Sequence, residues 1–467
     1  MKRKINHVHF VGIGGSGMSG IAEVLMELGY TVSGSDITPT EVTDRLFRLG
    51  AVIFIGHDAS NIGNSQIIVQ SSAISIDNVE IVEGLRRSIP VIPRAKMLSD
   101  LMRLKRGIAV AGTHGKTTTT SLIVEILCCS GRDPTFVIGG CLGDHNHGAS
   151  LGKGEDIVVE ADESDRTFLL FRPVINVVTN IDSDHMQTYD HDFNRLLQAF
   201  LEFIDSIPFY GFSFLCNDDP NIKFLLPSVT RPFFKYGFSS TSDIRAKNCS
   251  INLSGSSFIV EQDGFPSLSV DTPLIGEHNV LNCLAAIGVC RQLEVDDKFI
   301  RKALLNFSGI SRRLQRYDNV CLYGCLCSLV DDYGHHPVEI AVTTKAIRQV
   351  LKNRRIILVF QPHRVTRTID LFQEFVTVLS SVDELIMLPV YTAGEEIIQE
   401  ECLSKKLIEA MFANGATVSP YFVESLDDAY SVIGDIVCNG DVILIMGAGS
   451  ISKLKSIIFS RAGYERK

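Results

Sequence analysis

Residues 107–117 read Gly107-Ile108-Ala109-Val110-Ala111-Gly112-Thr113-His114-Gly115-Lys116-Thr117, an apolar run of strand length that breaks on glycine and delivers a lysine and a hydroxyl. Leu122, Ile123, Ile126 and Leu127 then recur at helical spacing, so strand, turn and helix are expected in succession. Backbone amides at such a turn cradle phosphates, a lysine there neutralises charge developing on a transferred γ-phosphoryl group, and a threonine hydroxyl can bind magnesium. The general phosphate-loop pattern asks for glycine at position 110, where this chain has Val110, so the loop is a variant form. Its alternative, a chance Gly-Lys-Thr in a turn, does not explain the strand and helix on either side.

Upstream, residues 7–13 form a buried-strand pattern ending in Gly12-Ile13-Gly14-Gly15-Ser16-Gly17, and Met18, Ile21, Ala22, Leu25 and Leu28 follow at helical spacing. Strand-like runs at 31–35, 51–55 and 66–69 continue the alternation of a parallel sheet. Asp36 falls about twenty residues past the glycines, where a carboxylate can bind ribose hydroxyls. A diphosphate nucleotide fits this loop, with a nicotinamide or flavin dinucleotide as the default ligand; glycines serving only a tight turn are the alternative. The basic stretch Arg103-Leu104-Lys105-Arg106 separates this block from the next, and a domain boundary is expected near 106. Downstream of the phosphate loop, runs at 157–160 and 174–179 deliver polar residues at their carboxyl ends, where open α/β sheets bind ligands. A third block is expected from about 310, with strands at 328–330, 356–360, 384–388 and 442–446 and a helix over 338–351.

The length of 467 residues fits this division, because single cores stop growing at roughly 250 to 300 residues. Apolar residues make up 45% and charged residues 21%, an ordinary globular balance that predicts folding throughout. A net charge of -10 excludes a sequence-independent nucleic-acid binder, which needs a broad basic surface. The basic start Met1-Lys2-Arg3-Lys4 leads into a strand rather than a signal core, and no apolar run approaches membrane-span length. A cytoplasmic protein without membrane or nucleic-acid partners is expected. The twelve cysteines are then expected to be reduced and mostly buried thiols, Cys321, Cys325 and Cys327 included.

Six further stretches can carry chemistry. Glu160-Ala161-Asp162-Glu163-Ser164-Asp165 and Thr179-Asn180-Ile181-Asp182-Ser183-Asp184-His185 each close a strand and offer hard oxygen ligands and an imidazole for magnesium; solvated acidic surface is the alternative. Gly276-Glu277-His278-Asn279-Val280-Leu281-Asn282 reads, by itself, as a helix amino terminus with capping residues. In the third block, Ser311-Arg312-Arg313, Asp331-Asp332-Tyr333-Gly334-His335-His336-Pro337 and Gln361-Pro362-His363-Arg364-Val365-Thr366-Arg367-Thr368 place arginines and histidines where forks can grip carboxylate or phosphate.

Together these stretches resemble the Mur ligases, the enzymes that build the peptide stem of peptidoglycan, over nearly the whole chain. The carriers are residues 9–20 around the first glycine loop, Gly112-Thr113-His114-Gly115-Lys116-Thr117-Thr118-Thr119, residues 160–165, residues 331–337 and Gln361-Pro362-His363-Arg364. Val110 ceases to be an anomaly, since this family uses the shorter Gly-Thr-His-Gly-Lys-Thr loop. The resemblance implies an α/β chain of three domains: a Rossmann-like domain over 1–106, a central P-loop ATPase-like domain with a mainly parallel sheet over 107–310, and a C-terminal Rossmann-like domain over 311–467. It also implies ligation of L-alanine to UDP-N-acetylmuramate at the expense of ATP, with magnesium, for which manganese can substitute.

The first loop is thereby reassigned from a dinucleotide to the UDP of the sugar nucleotide, at Gly12, Gly14, Gly15, Ser16, Gly17, Asp36, Ser71 and Ser72. ATP would lie on Gly112, Thr113, His114, Gly115, Lys116, Thr117 and Thr118, with adenine near Asn279, its ribose at Asp331 or Asp332 and the γ-phosphate near Arg313. Magnesium would be held near Thr117, Glu160 and His185, and Lys116, Glu160, His185 and Arg313 would form the catalytic set. Tyr333, His335, Arg364 and Arg367 would gather the amino acid and the muramoyl carboxylate. Gln187, Val365 and Gly447-Ala448-Gly449-Ser450 depart from the family pattern without removing any of these groups. Substrate sites on three blocks predict closure of the domains on binding. Competing expectations are a recycling ligase that attaches a preformed peptide to the same sugar nucleotide, a nicotinamide-dependent oxidoreductase, and a non-catalytic nucleotide-binding regulator. The oligomeric expectation is a monomer or homodimer.

Overall fold

The computed structural model describes residues 5–463 apart from 72, 140–147, 396–401, 417 and 419, and for Ser16 the backbone alone. Its strands fall into three sheets, one for each block of the sequence. The first runs Val52–Ile55, Thr31–Asp36, His7–Val11, Ile67–Gln70, Val91–Pro93, with every neighbouring pair parallel. His7–Val11 is central because Val8, Phe10 and Val11 are almost wholly buried, whereas Val52–Ile55 is an edge strand with Val52 and Ile55 exposed. The strand order reverses between His7–Val11 and Ile67–Gln70, so the turns following these two strands border the crevice in which such sheets bind ligands.

The second sheet has ten strands, with Arg106–Ala111 between Ile175–Val178 and Asp156–Glu160. From Ile244–Asn252 across to Thr135–Val137 its neighbours are parallel, and only Ala149–Ser150 pairs antiparallel at that edge. Helix Lys116–Cys129 follows the phosphate loop; Leu122, Ile123, Ile126 and Leu127 are fully buried as their spacing requires. Thr118, Thr119, Thr120 and Ser121 are buried too, since this helix packs against helix Asp297–Leu305 as well as the sheet. The expected strand at 174–179 spans Ile175–Val178, and residues 179–185 emerge from its carboxyl end.

The third sheet runs Gln315–Leu322, Cys325–Asp332, Val442–Met446, Ile356–Phe360, Glu384–Met387, Pro420–Phe422. The first pair is antiparallel and the remainder parallel. Two apolar clusters cover its faces, one including Phe360, Phe375 and Leu407 and the other Ile357, Ile433 and Ile458. Truncating a residue such as Phe375, which is fully buried, would cost about 3–5 kcal/mol.

The chain separates into two compact units. One comprises Met1–Cys249, Ser257–Pro273 and Asn279–Ser308; the other comprises Ser250–Ser256, Leu274–His278 and Gly309–Lys467. Eleven cysteines lie among the described residues and all are free thiols. Only Cys216, Cys283, Cys290 and Cys327 are buried, however, and Cys249, Cys321 and Cys438 are exposed, so the expectation of mostly buried thiols is too broad. Cys325 and Cys327 donate to the backbone carbonyls of Val437 and Val320. Among the described residues no helix is long and apolar enough to cross a membrane.

Candidate active site

The glycine turn after His7–Val11 is held from below by the next strand: the amides of Gly12 and Ile13 both donate to the Ser35 carbonyl, at 2.9 and 3.0 Å. Gly12 has a φ of +82°, and a Cβ there would sit 3.0 Å from the Ser71 Cβ, so Ser71 closes the crevice beside the turn. The Asp36 carboxylate accepts from the Gly14 amide at 2.8 Å and from its neighbour Ile37 at 2.8 Å, which places it against the loop. Gly15 is the N-cap of helix Ser16–Glu27, and Gly17 lies in its first turn. Ser72 and the Ser16 side chain are outside the described residues.

The phosphate loop is pinned to residues 179–182. Thr113 N donates to the Asn180 carbonyl, His114 N to the Asn180 side chain at 2.8 Å, and the Thr179 hydroxyl to the His114 carbonyl at 2.6 Å. Gly112, at φ +130°, could not carry a Cβ without striking the Thr179 hydroxyl, and Gly115, at φ +83°, lies where a Cβ would be 2.7 Å from the Asn282 amide oxygen. Asn282 accepts from Thr119 and donates to Asn279, both at 3.2 Å, so this pair of side-chain amides lies beside the loop. Asn279 and Asn282 are therefore more than part of a capping sequence. Asn282 itself was not among the expected site residues; its spacing from Asn279 on a helix that touches the loop is the signal that could have found it.

Lys116 sits at the start of helix Lys116–Cys129 and donates to the carbonyls of Gly112 and Thr113, at 2.6 and 3.2 Å, and to both oxygens of Glu163, at 2.8 and 3.1 Å. Burial would lower its ammonium, but Glu163, Asp162 and Glu160 outweigh that and hold it above the usual lysine range. Burial raises the Glu163 carboxyl even with Lys116 beside it. Burial would raise Asp162 as well, yet Lys116, Ser164 and His185 keep it below its ordinary value. Glu160, Asp162 and Glu163 thus converge on Lys116, with His185 close to Asp162 and Thr117 the next residue of the helix. These hard oxygen donors and an imidazole suit a divalent cation such as magnesium. Glu163 and Asp162 were quoted in an acidic motif but not singled out.

In the other unit the parallel strands Cys325–Asp332, Val442–Met446 and Ile356–Phe360 are neighbours, so residues 333–336, 447–450 and 361–364 emerge side by side. Asp331 is fully buried, 2.7 Å from Lys455 and 3.4 Å from Arg312. Asp332 accepts from the amides of Leu314 and Gly334, both at 2.7 Å, and burial raises its carboxyl against the pull of Arg313. The guanidiniums of Arg312 and Arg313 each lie 5.2 Å from the Tyr333 ring, and Arg313 reaches Glu339 at 3.4 Å. Tyr333, His335 and His363 follow in contact, with ring separations of 5.5 and 5.4 Å, and His363 stacks on Tyr391. Arg367 is buried and donates to the His363 carbonyl at 3.1 Å.

Arg364 holds a φ of +72°, a strained conformation for a residue with a side chain, fixed by its amide on the Tyr391 carbonyl and by Thr368 on its own carbonyl. Strain of this kind is retained where the surroundings over-determine it, commonly at ligand sites. Tyr391 also lines a cavity of about 370 Å³ with Gln361, Leu388, Glu424 and Ser450. All four residues expected to bind the amino acid therefore share one strand edge; His363, quoted in its stretch but not singled out, joins them, as does Tyr391, which was not expected there.

Comparison with known proteins agrees with this arrangement along the chain. Residues 7–106 match the Mur ligase family catalytic domain, 110–290 the Mur ligase middle domain and 312–449 the Mur ligase glutamate ligase domain. The chain belongs to the Mur ligase family. This ligase has the three-domain α/β architecture expected of it. It is 51% identical to the UDP-N-acetylmuramate--L-alanine ligase of Paraburkholderia xenovorans over 97% of both chains. Its identity to the Nitrosomonas europaea protein of the same name is 52%, over 97% of this chain and 96% of that one. Among solved structures it resembles the UDP-N-acetylmuramate-alanine ligase MurC of Thermotoga maritima, with a TM-score of 0.80, 29% identity and coverage of 98% and 99%. It also resembles a murein peptide ligase from Psychrobacter arcticus, with a TM-score of 0.72, 26% identity and 99% coverage of both.

Proposed function

We propose that this Mur ligase couples ATP cleavage to amide formation between L-alanine and the lactyl carboxylate of UDP-N-acetylmuramate, giving UDP-N-acetylmuramoyl-L-alanine, ADP and phosphate in cytoplasmic peptidoglycan synthesis. Near-complete coverage at 51% identity to ligases named for that substrate pair carries the reading. The chemistry of the loops supports it. A carboxylate does not acylate an amine directly, because oxide would have to leave; transfer of the γ-phosphoryl group gives an acyl phosphate whose leaving group is phosphate. That transfer brings two anions together, and Lys116 and Arg313 offset the repulsion.

Thr117, Glu160 and His185 would hold magnesium or manganese, which when bound supplies further positive charge at the phosphate oxygens. The amides of 112–118 bind the phosphates, and Asn279 reads the adenine. Asp332 is assigned to the ATP ribose, and Asp331 supports that strand end through Lys455 and Arg312. Gly12, Gly14, Gly15, Ser16, Gly17, Asp36, Ser71 and Ser72 are assigned to the UDP moiety. Tyr333, His335, Arg364 and Arg367 are assigned to the amino acid and the muramoyl carboxylate. With domain limits near 106 and 310, the UDP set lies in the first domain, the ATP set is divided between the second and third, and the amino-acid set lies in the third.

The test is phosphate release with UDP-N-acetylmuramate and ATP across a panel of single amino acids and a stem tripeptide. Turnover with L-alanine is the expected result. Turnover with the tripeptide alone would favour the recycling reaction, which the likeness to the murein peptide ligase keeps as a second reading.

A further inference from the structure

The turn that carries Arg364 and Arg367 is held in place by a separate segment of the chain. Helix Val365–Asp370 begins at Arg364, whose side chain gives it no cap and whose φ is +72°. Such a conformation persists only where other contacts fix it. One of these is internal, the Thr368 hydroxyl on the Arg364 carbonyl. The others come from residues 391–395, beyond strand Glu384–Met387. The Arg364 amide donates to the Tyr391 carbonyl and the Tyr391 amide to the Pro362 carbonyl, both at 2.8 Å. The Glu395 carboxylate then accepts from the Thr366 hydroxyl at 2.8 Å and from the Thr366 amide at 3.1 Å. Ala393 and Gly394, at φ +53° and +85°, precede Glu395, whose own amide donates back to the Thr392 carbonyl at 3.0 Å.

A helix leaves its first amides without partners, and a carboxylate placed there accepts from them and meets the positive end of the helix dipole. Glu395 therefore does for Val365–Asp370 what a capping side chain would do, from 29 residues along the chain. Arg364 and Arg367 flank the residues it fixes, and Arg367 is buried against the His363 carbonyl, so a shift of this turn displaces both guanidiniums. We infer that Glu395 is a positioning residue for the incoming amino acid: by holding Thr366 it sets the turn that presents Arg364 and Arg367 to the amino-acid carboxylate. The inference rests on the reading that assigns these two arginines to that group.

Steady-state kinetics of the full chain, with each substrate varied in turn, separates the two claims. Glu395→Ala should raise the KM for L-alanine about 3- to 30-fold, the range for a lost capping contact, and leave kcat and the KM for ATP within about twofold. Glu395→Gln should fall between, since its side chain keeps the shape but offers one acceptor oxygen in place of two; it also serves as the readout if Glu395→Ala does not fold. Thr366→Val should raise the same KM, and adding it to either Glu395 variant should cost less than the sum of the single effects, because both changes remove one contact. An unmoved KM for L-alanine in the Glu395 variants, a fall in kcat alone, or strictly additive effects with Thr366→Val overturns the role of Glu395. An unmoved KM for L-alanine in Arg367→Ala overturns instead the assignment of the arginines.

Discussion

Lys116 spends its protons on two loop carbonyls and on Glu163, so it is oriented within the turn that is assigned to the phosphates. Lys116→Ala is expected to lower phosphate release dependent on UDP-N-acetylmuramate by at least about 100-fold, the scale seen when one preorganised electrostatic donor is removed. Retained UDP binding in the same variant checks that the chain is folded. Arg367→Ala is expected to raise the KM for L-alanine about ten- to a hundredfold and leave ATP affinity unchanged, as steady-state kinetics with each substrate varied would show. Loss of ATP binding instead would misplace the residue. Groups of this kind were legible because glycines, lysine and arginines recur in short motifs at strand ends. Tyr391 was not, since it meets its site from a distant segment and carries no local signature.

At the level of elements, the first sheet hides a charged cluster under the glycine turn. Glu80 and His9 are fully buried, joined at 3.3 Å, and Glu80 also accepts from Ser35, Asn61 and the Asp58 amide. Burial alone would raise the Glu80 carboxyl, but donors from His9, Ser35 and Asn61 bring it down to about 2 from an ordinary value of 4.5. The folded form therefore holds the proton less tightly than the unfolded chain. Its contribution to stability, about 3 kcal/mol, is present above pH 4.5 and lost as the pH falls toward 2. Urea midpoints across that range should show the gap between the unaltered chain and Glu80→Gln narrowing as the pH falls; a constant gap would mean that Glu80 is not ionised in the folded chain. Helical spacing and apolar runs announced most of the elements that carry the loops, because burial of one face leaves a period in the sequence. His9 sits in such a run as a buried polar exception, and its partner Glu80 lies on another element, helix Val79–Arg86, where no pattern links the two.

For the molecule as a whole, the acyl-phosphate route makes a chain-wide prediction: a heavy oxygen label placed in the lactyl carboxylate should appear in the released phosphate, as mass spectrometry of the phosphate would reveal. Label retained entirely in the peptide product would exclude that intermediate. The sequence by itself determined that the chain is α/β, built from three sheet-forming blocks, with two glycine loops and an arginine-rich third block, because strand and helix periods and phosphate-binding turns are local properties. Only the tertiary structure decided the order of the strands. Val442–Met446 lies between Cys325–Asp332 and Ile356–Phe360, which is what lets the loops after these strands emerge side by side. It also decided that Asp331 is enclosed by Lys455 and Arg312 while Asp332 is bonded to loop amides, and that Glu395 reaches Thr366. Such pairings are chosen by burial and charge among residues far apart in the chain, and no local spacing encodes them.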